Sequence, residues 1–228
     1  MPVEDLLEEM HRYYEDRVPY HDMYMGYSDN AAMERLLAPL VALVGEAVRG
    51  RNVLEVACGT GNWTQVLSRR CRSVMATDLF EGYLEQARMK NYPAGNVTFR
   101  RADAYFLEGI GRDFTAAFSA DWWSHMPRSR VPTFLRALHG RLRPGARVVM
   151  LDMLRGPELQ AWFSHVDEGG DEVQRRDLPN GKDYLVVKNY PTEPELRSAL
   201  GGAATGVRYV EDAALARWAL TYTLVASP

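Results

Sequence analysis

Apolar residues along this chain repeat first with helical and then with strand spacing. Leu6, Leu7, Met10, Tyr13 and Tyr14 predict an amphipathic helix over residues 3–17. A second helical stripe runs through Met33, Leu36, Leu37, Leu40, Val44 and Val48, with Ser28 or Asp29 placed to cap it and Pro39 placed to kink it. Between the two lies residues 18–27, dense in aromatics. The period then changes. Short apolar runs at 53–57, 73–78, 96–101, 114–120 and 147–152 read as strands, and helical patterns at 62–72, 80–91 and 128–142 separate most of them. Residues 153–170 carry Trp162, Phe163 and His165 without a clear period. Residues 172–177 and 182–189 flank Pro179-Asn180-Gly181 and predict a hairpin, since Asn-Gly is a strong turn signal. Thr192-Glu193-Pro194-Glu195 opens a helix ending at Leu200, and strands follow at 206–210 and 217–224.

Strands alternating with helices imply an α/β fold with a doubly wound sheet. At 228 residues the chain suits a single domain with a full core. Within it, residues 1–49 form an N-terminal helical cap or lid and 50–152 a ligand-binding core. Residues 153–190 form a substrate-side insert with the β-hairpin, and 191–228 the closing strands. The least regular parts, the first 50 or so residues and the insert, are where substrate contacts belong.

The chemistry centres on residues 52–63. There a short strand turns through Gly59 and Gly61 into a helix that carries Trp63, Val66 and Leu67 on one side. Glycines permit positive φ and leave no Cβ in a ligand's way, and the helix start offers unpaired N–H groups. A dinucleotide fingerprint needs a third glycine, but Asn62, Trp63 and Thr64 follow Gly61. The run Glu55-Val56-Ala57-Cys58-Gly59-Thr60-Gly61 resembles the first motif of class I S-adenosylmethionine-dependent methyltransferases. The passage from helix through Arg143-Pro144-Gly145 into an apolar strand resembles the same family. The resemblance covers roughly residues 50–225. It implies a Rossmann-like, seven-stranded mixed sheet whose last strand is antiparallel and inserted beside the fifth. It also implies that S-adenosylmethionine is the cofactor and S-adenosylhomocysteine the product. The cofactor contacts it implies come from Tyr14, Glu55, Ala57, Gly59, Gly61, Asp78, Leu79, Asp103, Ala104 and Ala120. Asp78, 17 residues after Gly61, ends the second strand, where an acid accepts from ribose hydroxyls or caps the next helix. Asp103, after the third strand, is either an acceptor for the adenine amine or a solvated loop acid.

Methyl transfer needs alignment, exclusion of water and, for some acceptors, a base. His125, just past the fourth strand, is the candidate catalytic base; the alternative is that it pairs with a backbone carbonyl or Asp121 and shapes the loop. Tyr20, Tyr24, Trp122 and Trp123 are candidate substrate contacts, with packing as the alternative for the tryptophans. His21 and the tyrosines at 13, 14, 20, 24 and 27 could together cap the pocket. Arg175, Arg176, Lys188 and Tyr190 would favour a carboxylate or phosphate on the substrate if they line the pocket, and are otherwise a solvated hairpin face.

Composition narrows the field. A net charge of −3 gives no bulk basicity for nucleic acid, and no apolar run approaches the ~20 residues of a membrane span. Only two cysteines, Cys58 and Cys71, are present, and the five histidines show no ligand spacing, so neither disulfides nor a metal are expected. The acidic N-terminus lacks a signal-peptide pattern, which leads to the expectation of a soluble, cytoplasmic protein, monomeric or homodimeric. The expected function is methyl transfer to nitrogen or oxygen of a small-molecule metabolite, in specialised metabolism. The rivals are a nicotinamide-dependent dehydrogenase and a non-catalytic S-adenosylmethionine-binding protein.

Overall fold

A computed structural model describes residues 3–26, 29–92, 94–156 and 162–225. Tyr27 and Ser28, expected in the cap, lie outside the described residues. The chain opens with helix α1 (Val3–Arg17), a 3-10 turn (Val18–Tyr20) and a short helix α2 (His21–Tyr24). Helices α3 (Asn30–Leu36) and α4 (Ala38–Val48) follow; Pro39, in the first turn of α4, separates them at Leu37. Asp29 is the cap of α3, its side chain accepting from the Ala32 amide.

The core then alternates β1 (Asn52–Val56), α5 (Asn62–Ser68), β2 (Ser73–Asp78), α6 (Glu81–Arg88), β3 (Val97–Arg101) and β4 (Phe114–Ala120). Helix α7 (Val131–His139) and strand β5 (Leu142–Met153) complete this series. Past the insert come α8 (Glu193–Leu200), β9 (Ala204–Asp212) and β10 (Arg217–Leu224). The seven strands of the main sheet lie in the order β3-β2-β1-β4-β5-β10-β9. β1 to β5 are parallel, while β10 enters antiparallel beside β5. The sheet is therefore the mixed, seven-stranded arrangement that the resemblance implied.

Strand pleating sends neighbouring residues to opposite faces, and each face has its own core. Leu54, Val56, Ala117, Val148 and Met150 meet Phe134, Leu135 and Leu138 of α7 and Leu196 and Leu200 of α8. Val53, Val74, Ala116, Phe118, Val149 and Leu151 meet Leu40, Val44 and Val48 of α4 and Val66 and Leu67 of α5. Parallel strands covered on both faces carry the near-continuous apolar runs seen in the sequence.

The insert is a separate three-stranded antiparallel sheet, β6 (Phe163–Val166), β7 (Glu172–Asp177) and β8 (Asp183–Val187). The hairpin turns where Asn180-Gly181 places it. Leu6, Met10 and Tyr13 of α1 pack on Val173, Tyr184, Val186 and Val187 of this sheet. The amphipathic face of the first helix is thus matched to the insert, and the two together build a wall over the carboxyl ends of β1, β4 and β5.

Candidate active site

Beneath that wall lies a cavity of about 490 Å³. It sits at the carboxyl ends of the parallel strands, flanking the switch point between β1 and β4, where open α/β sheets take ligands. Its floor is the turn after β1. Ala57 has φ 56° and Gly59 φ 54°, so the backbone folds sharply away from the strand, and the Cys58, Gly59 and Gly61 amides donate to the Thr77 carbonyl, the Asp78 carboxylate and the Cys58 carbonyl. A Cβ on Gly59 would stand 3.2 Å from His21 Nε2, so the lid segment reaches down onto the turn.

Glu55, Ala57, Gly59, Asp78, Leu79, Asp103, Ala104, Ala120 and Tyr14 all line this cavity. Gly61 does not. It holds φ 82° as the residue before α5, with Ala87 Cβ 3.0 Å and the Tyr92 hydroxyl 2.6 Å from where its Cβ would be. Its glycine is required for close packing of α5 against α6, behind the cavity. Asp78, at the end of β2, accepts from the Gly59 amide at 2.9 Å and from the Phe80 amide at 3.1 Å. The same carboxylate thus braces the turn and the loop before α6; the cap of that helix is Phe80, not Asp78. Burial pushes its pKa up to about 6. Glu55, wholly buried, accepts from Thr64 Oγ1 at 2.6 Å, and burial raises it to about 8. Asp103 accepts from the Tyr105 amide at 2.7 Å.

Toward β5 and β10 the cavity is lined by cations, Arg176 from β7, Lys188 just past β8 and Arg217 from β10, and Arg17 from α1 lines it between this end and His21. Arg217 pairs with Asp121, a residue held at φ 53°. Lys188 stands 3.6 Å from Asp152. Arg176 donates to Gln174 Oε1 at 2.6 Å and lies 4.2 Å over the Trp162 ring. Among the described residues neither Arg17 nor Arg176 has a carboxylate within ion-pair distance. The Arg17 Nε is buried with no hydrogen-bond partner, as is the Tyr14 hydroxyl. Such orphaned groups at a cavity wall are the ones a ligand can satisfy. Among the described residues no cluster of three or more His, Cys, Asp or Glu is arranged to hold a metal ion.

His125 lines the same end, where its Nδ1 meets the Val187 carbonyl at 2.9 Å. A carbonyl only accepts, so Nδ1 carries the proton and Nε2 the lone pair. That lone pair faces the Lys188 ammonium at 3.5 Å. Burial and the neighbouring Lys188 push the imidazole well below its usual pKa. Trp122 lines the cavity and Tyr24 closes its rim, donating to the Asp177 carbonyl at 3.2 Å. Tyr20 and Trp123 do not line it. Trp123 is packed into the core facing α7, and Tyr20 ends the 3-10 turn, half-buried. Of the hairpin group only Arg176 and Lys188 reach the cavity; Arg175 pairs with Asp183 at the surface, and Tyr190 stacks under Arg155.

The lid is pinned by polar contacts. Asp22 accepts from Thr60 Oγ1 at 2.5 Å, Asn62 Nδ2 at 3.2 Å and Lys90 Nζ at 3.2 Å. Gln86 Nε2 donates to the Val18 carbonyl at 2.9 Å. His21 lies edge-on to Tyr83, ring centroids 4.8 Å apart. Asp22, Asp152 and Arg217 carried no signal in the sequence, because their partners are remote in the chain; Arg17, whose ring contacts are the nearby Tyr13 and Tyr24, reads locally as the end of a helix.

The sequence profile of the family described as "Methyltransferase domain" matches residues 53–145. The ubiquinone biosynthesis O-methyltransferase of Ruegeria pomeroyi is 28% identical over 133 residues, 58% of this chain and 51% of that protein. The chain therefore spans about half the length of that relative. O-methyltransferase rstn1 of Aspergillus nomiae is 27% identical over 181 residues, 72% of this chain and 77% of its own. The solved complex of DhpI with SAH superposes with a TM-score of 0.73 at 26% identity, covering 97% of this chain and 98% of that one. Sheet order, the turn after β1, the family match and this whole-length likeness agree: the chain belongs to the class I S-adenosylmethionine-dependent methyltransferases.

Proposed function

We propose that this protein transfers a methyl group from S-adenosylmethionine to an anionic oxygen of a small-molecule metabolite, in specialised metabolism. One observation carries the reading. A single cavity is lined by the glycine turn with the acids Glu55, Asp78 and Asp103 and, toward β5 and β10, by Arg176 and Lys188, with Arg17 between the two. The acidic end suits a nucleoside with ribose hydroxyls and an adenine amine to donate, and the cationic end suits a carboxylate or phosphate-like group. The relatives named above are O-methyltransferases, which favours oxygen over nitrogen.

In this reading Gly59 leaves room for the nucleoside, Asp78 takes the ribose hydroxyls and Asp103 the adenine amine. Leu79, Ala104 and Ala120 pack on its apolar faces, and Tyr14 supplies a hydroxyl over it. S-adenosylmethionine supplies an electrophilic methyl on a sulfonium. Arg176 and Arg17 hold the acceptor in line, and Tyr24 and Trp122 close the pocket against water. An anionic oxygen needs no general base. Bringing opposite charges together in a dry site favours a transition state in which both are dispersed. His125 is then a positioning residue, fixed to the Val187 carbonyl.

Isothermal titration checks the first half: S-adenosylhomocysteine binds and NAD does not. Turnover with a panel of carboxylate and phosphate acceptors checks the second. Arg176→Gln is expected to raise KM for such an acceptor by about tenfold or more, the worth of a charge-assisted hydrogen bond, with S-adenosylhomocysteine affinity unchanged. NAD binding in place of S-adenosylhomocysteine would end the methyltransferase reading. Turnover of neutral acceptors alone would end the anionic one.

A further inference from the structure

Lys188 is one of three lysines in the chain, and its side chain is only 3% exposed. An ammonium buried so deeply tends to shed its proton, which would leave an amine at the acceptor end of the cavity. Asp152, at the end of β5, is 0% exposed and stands 3.6 Å from Lys188 Nζ. Its other contacts fix it there. Oδ2 accepts from the Ser124 amide at 2.8 Å and Oδ1 from the Met153 amide at 2.7 Å. Burial pushes the Asp152 carboxyl up, and the Lys188 ammonium and these two backbone donors oppose that rise. Lys188 Nζ in turn donates to Ser124 Oγ at 2.7 Å. Strand β5, the loop after β4 and the insert are joined at this one buried point.

We propose that Asp152 is a positioning residue that keeps the Lys188 amine protonated and aimed into the acceptor end of the cavity. The proposal rests on the anionic-acceptor reading only for what the ammonium is for. The groups facing Lys188 come from every side. Asp152 on β5 and Asp121 after β4 favour its charge, while Arg176 on β7 and Arg217 on β10 oppose it. His125 presents its Nε2 lone pair and Tyr190 lies 5.9 Å from Nζ at its ring centroid. Arg217 is already paired to Asp121, so Asp152 is the acid that decides. A plain buried ion pair makes the opposite prediction for ligands: removing its negative member would leave a bare cation and strengthen anion binding at every pH.

The test uses the full chain labelled with 13C-lysine, whose three resonances are assigned with Lys90→Arg and Lys182→Arg. In the wild type the Lys188 resonance is expected to show no titration below about pH 9. In Asp152→Asn its midpoint is expected to fall by at least about one pH unit. Sulfate, which does not titrate in this range, is the binding probe, measured by calorimetry on the S-adenosylhomocysteine complex. Wild-type affinity should vary little from about pH 6.5 to 8.5, whereas Asp152→Asn should lose about tenfold for each pH unit above its new Lys188 midpoint. If Lys188 of the wild type titrates below about pH 8, the proposal fails even should the variant not fold. An unmoved midpoint in Asp152→Asn, or tighter sulfate binding throughout, overturns it as well. Absence of sulfate binding to the wild type, with the Lys188 midpoint moved as expected, sustains the role of Asp152 and defeats the anionic acceptor instead.

Discussion

His125 shows how far one side chain's role depends on what its two nitrogens face. The Val187 carbonyl fixes the Nδ1 proton, and the Lys188 ammonium occupies the direction from which Nε2 would accept another. Protonating the ring would set two cations side by side in a buried site. The ring therefore stays neutral through the physiological range, edge-on to Tyr14 with centroids 5.6 Å apart. His125→Asn keeps a donor for the Val187 carbonyl and is expected to retain kcat/KM within about tenfold, whereas a general base would be worth roughly 10²–10⁴. The wild-type profile of kcat/KM against pH should show no limb near the usual histidine value. A limb that is present in the wild type and lost in His125→Asn would restore the base. Position after the fourth strand was enough to select His125 from the sequence. The distinction between base and brace was not, because both partners lie about 60 residues downstream, at 187 and 188. Asp152 was missed for the same reason, being 36 residues before Lys188 and reading locally as an ordinary strand end.

Among the elements, the lid has the weakest attachment relative to what it covers. α1 is anchored by Leu6, Met10 and Tyr13 in the small sheet's core, but the 3-10 turn and α2 bury no side chain fully. They are held by the Asp22 cluster and by Gln86 on the Val18 carbonyl. These contacts close the cavity over the turn after β1; if the segment acts as the lid we propose, a nucleoside enters or leaves when they part. Hydrogen exchange in residues 18–26 is expected to slow when S-adenosylhomocysteine is added. Asp22→Ala, which removes three acceptor contacts at a half-exposed site, should speed its release by roughly three- to tenfold, on the scale of about 1 kcal/mol. Equal exchange with and without ligand would leave the segment as scaffold. The element pattern was mostly legible, since a parallel sheet writes its strands as apolar runs. Ends were less so. The helix expected over 62–72 stops at Ser68, where Asn96 Nδ2, just before β3, takes up the carbonyls of Ser68, Cys71 and Arg72. The strand expected at 147–152 begins at Leu142, whose pairing with Phe114 continues past a bulge at the Pro144-Gly145 step. Helix 128–142 resolves into a 3-10 turn (Arg128–Arg130) and α7, the shift falling just before Pro132. Strand β6 was missed, being four residues long with Phe163 and Ser164 both exposed.

Across the whole molecule, burial of ionisable groups sets a pH window for stability. Three histidines are kept neutral, His21 and His139 from half-buried positions: desolvation lowers His21 to about 3 and His139 to about 4, and His125 falls well below its usual value. Each binds a proton more readily when unfolded, so each contributes stability that is present above the unfolded histidine value and lost as pH falls toward the folded one. Glu55 and Asp78 act in the other direction. Burial raises Glu55 to about 8 and Asp78 to about 6, so their contributions are largest at low pH and are lost as pH rises through those values. Between about pH 4 and 6 the two sets oppose each other, and stability changes little beyond the balance of three histidines against two acids. Above the usual histidine value of about 6.5 the histidines have stopped titrating in either state and Asp78 is nearly done. Of these five groups Glu55 is then the one that remains, and while it titrates it erodes stability by up to about 1.4 kcal/mol per pH unit. The ligand-free protein should accordingly melt highest near pH 6.5 and progressively lower toward pH 8. Glu55→Gln retains an acceptor for Thr64 Oγ1 and carries no proton to lose, so its melting temperature should stay level across that interval. Melting curves of the two proteins at half-unit steps of pH decide the matter. A wild-type curve as flat as the variant's would mean that Glu55 is already ionised in the fold, with its charge met by something other than Thr64.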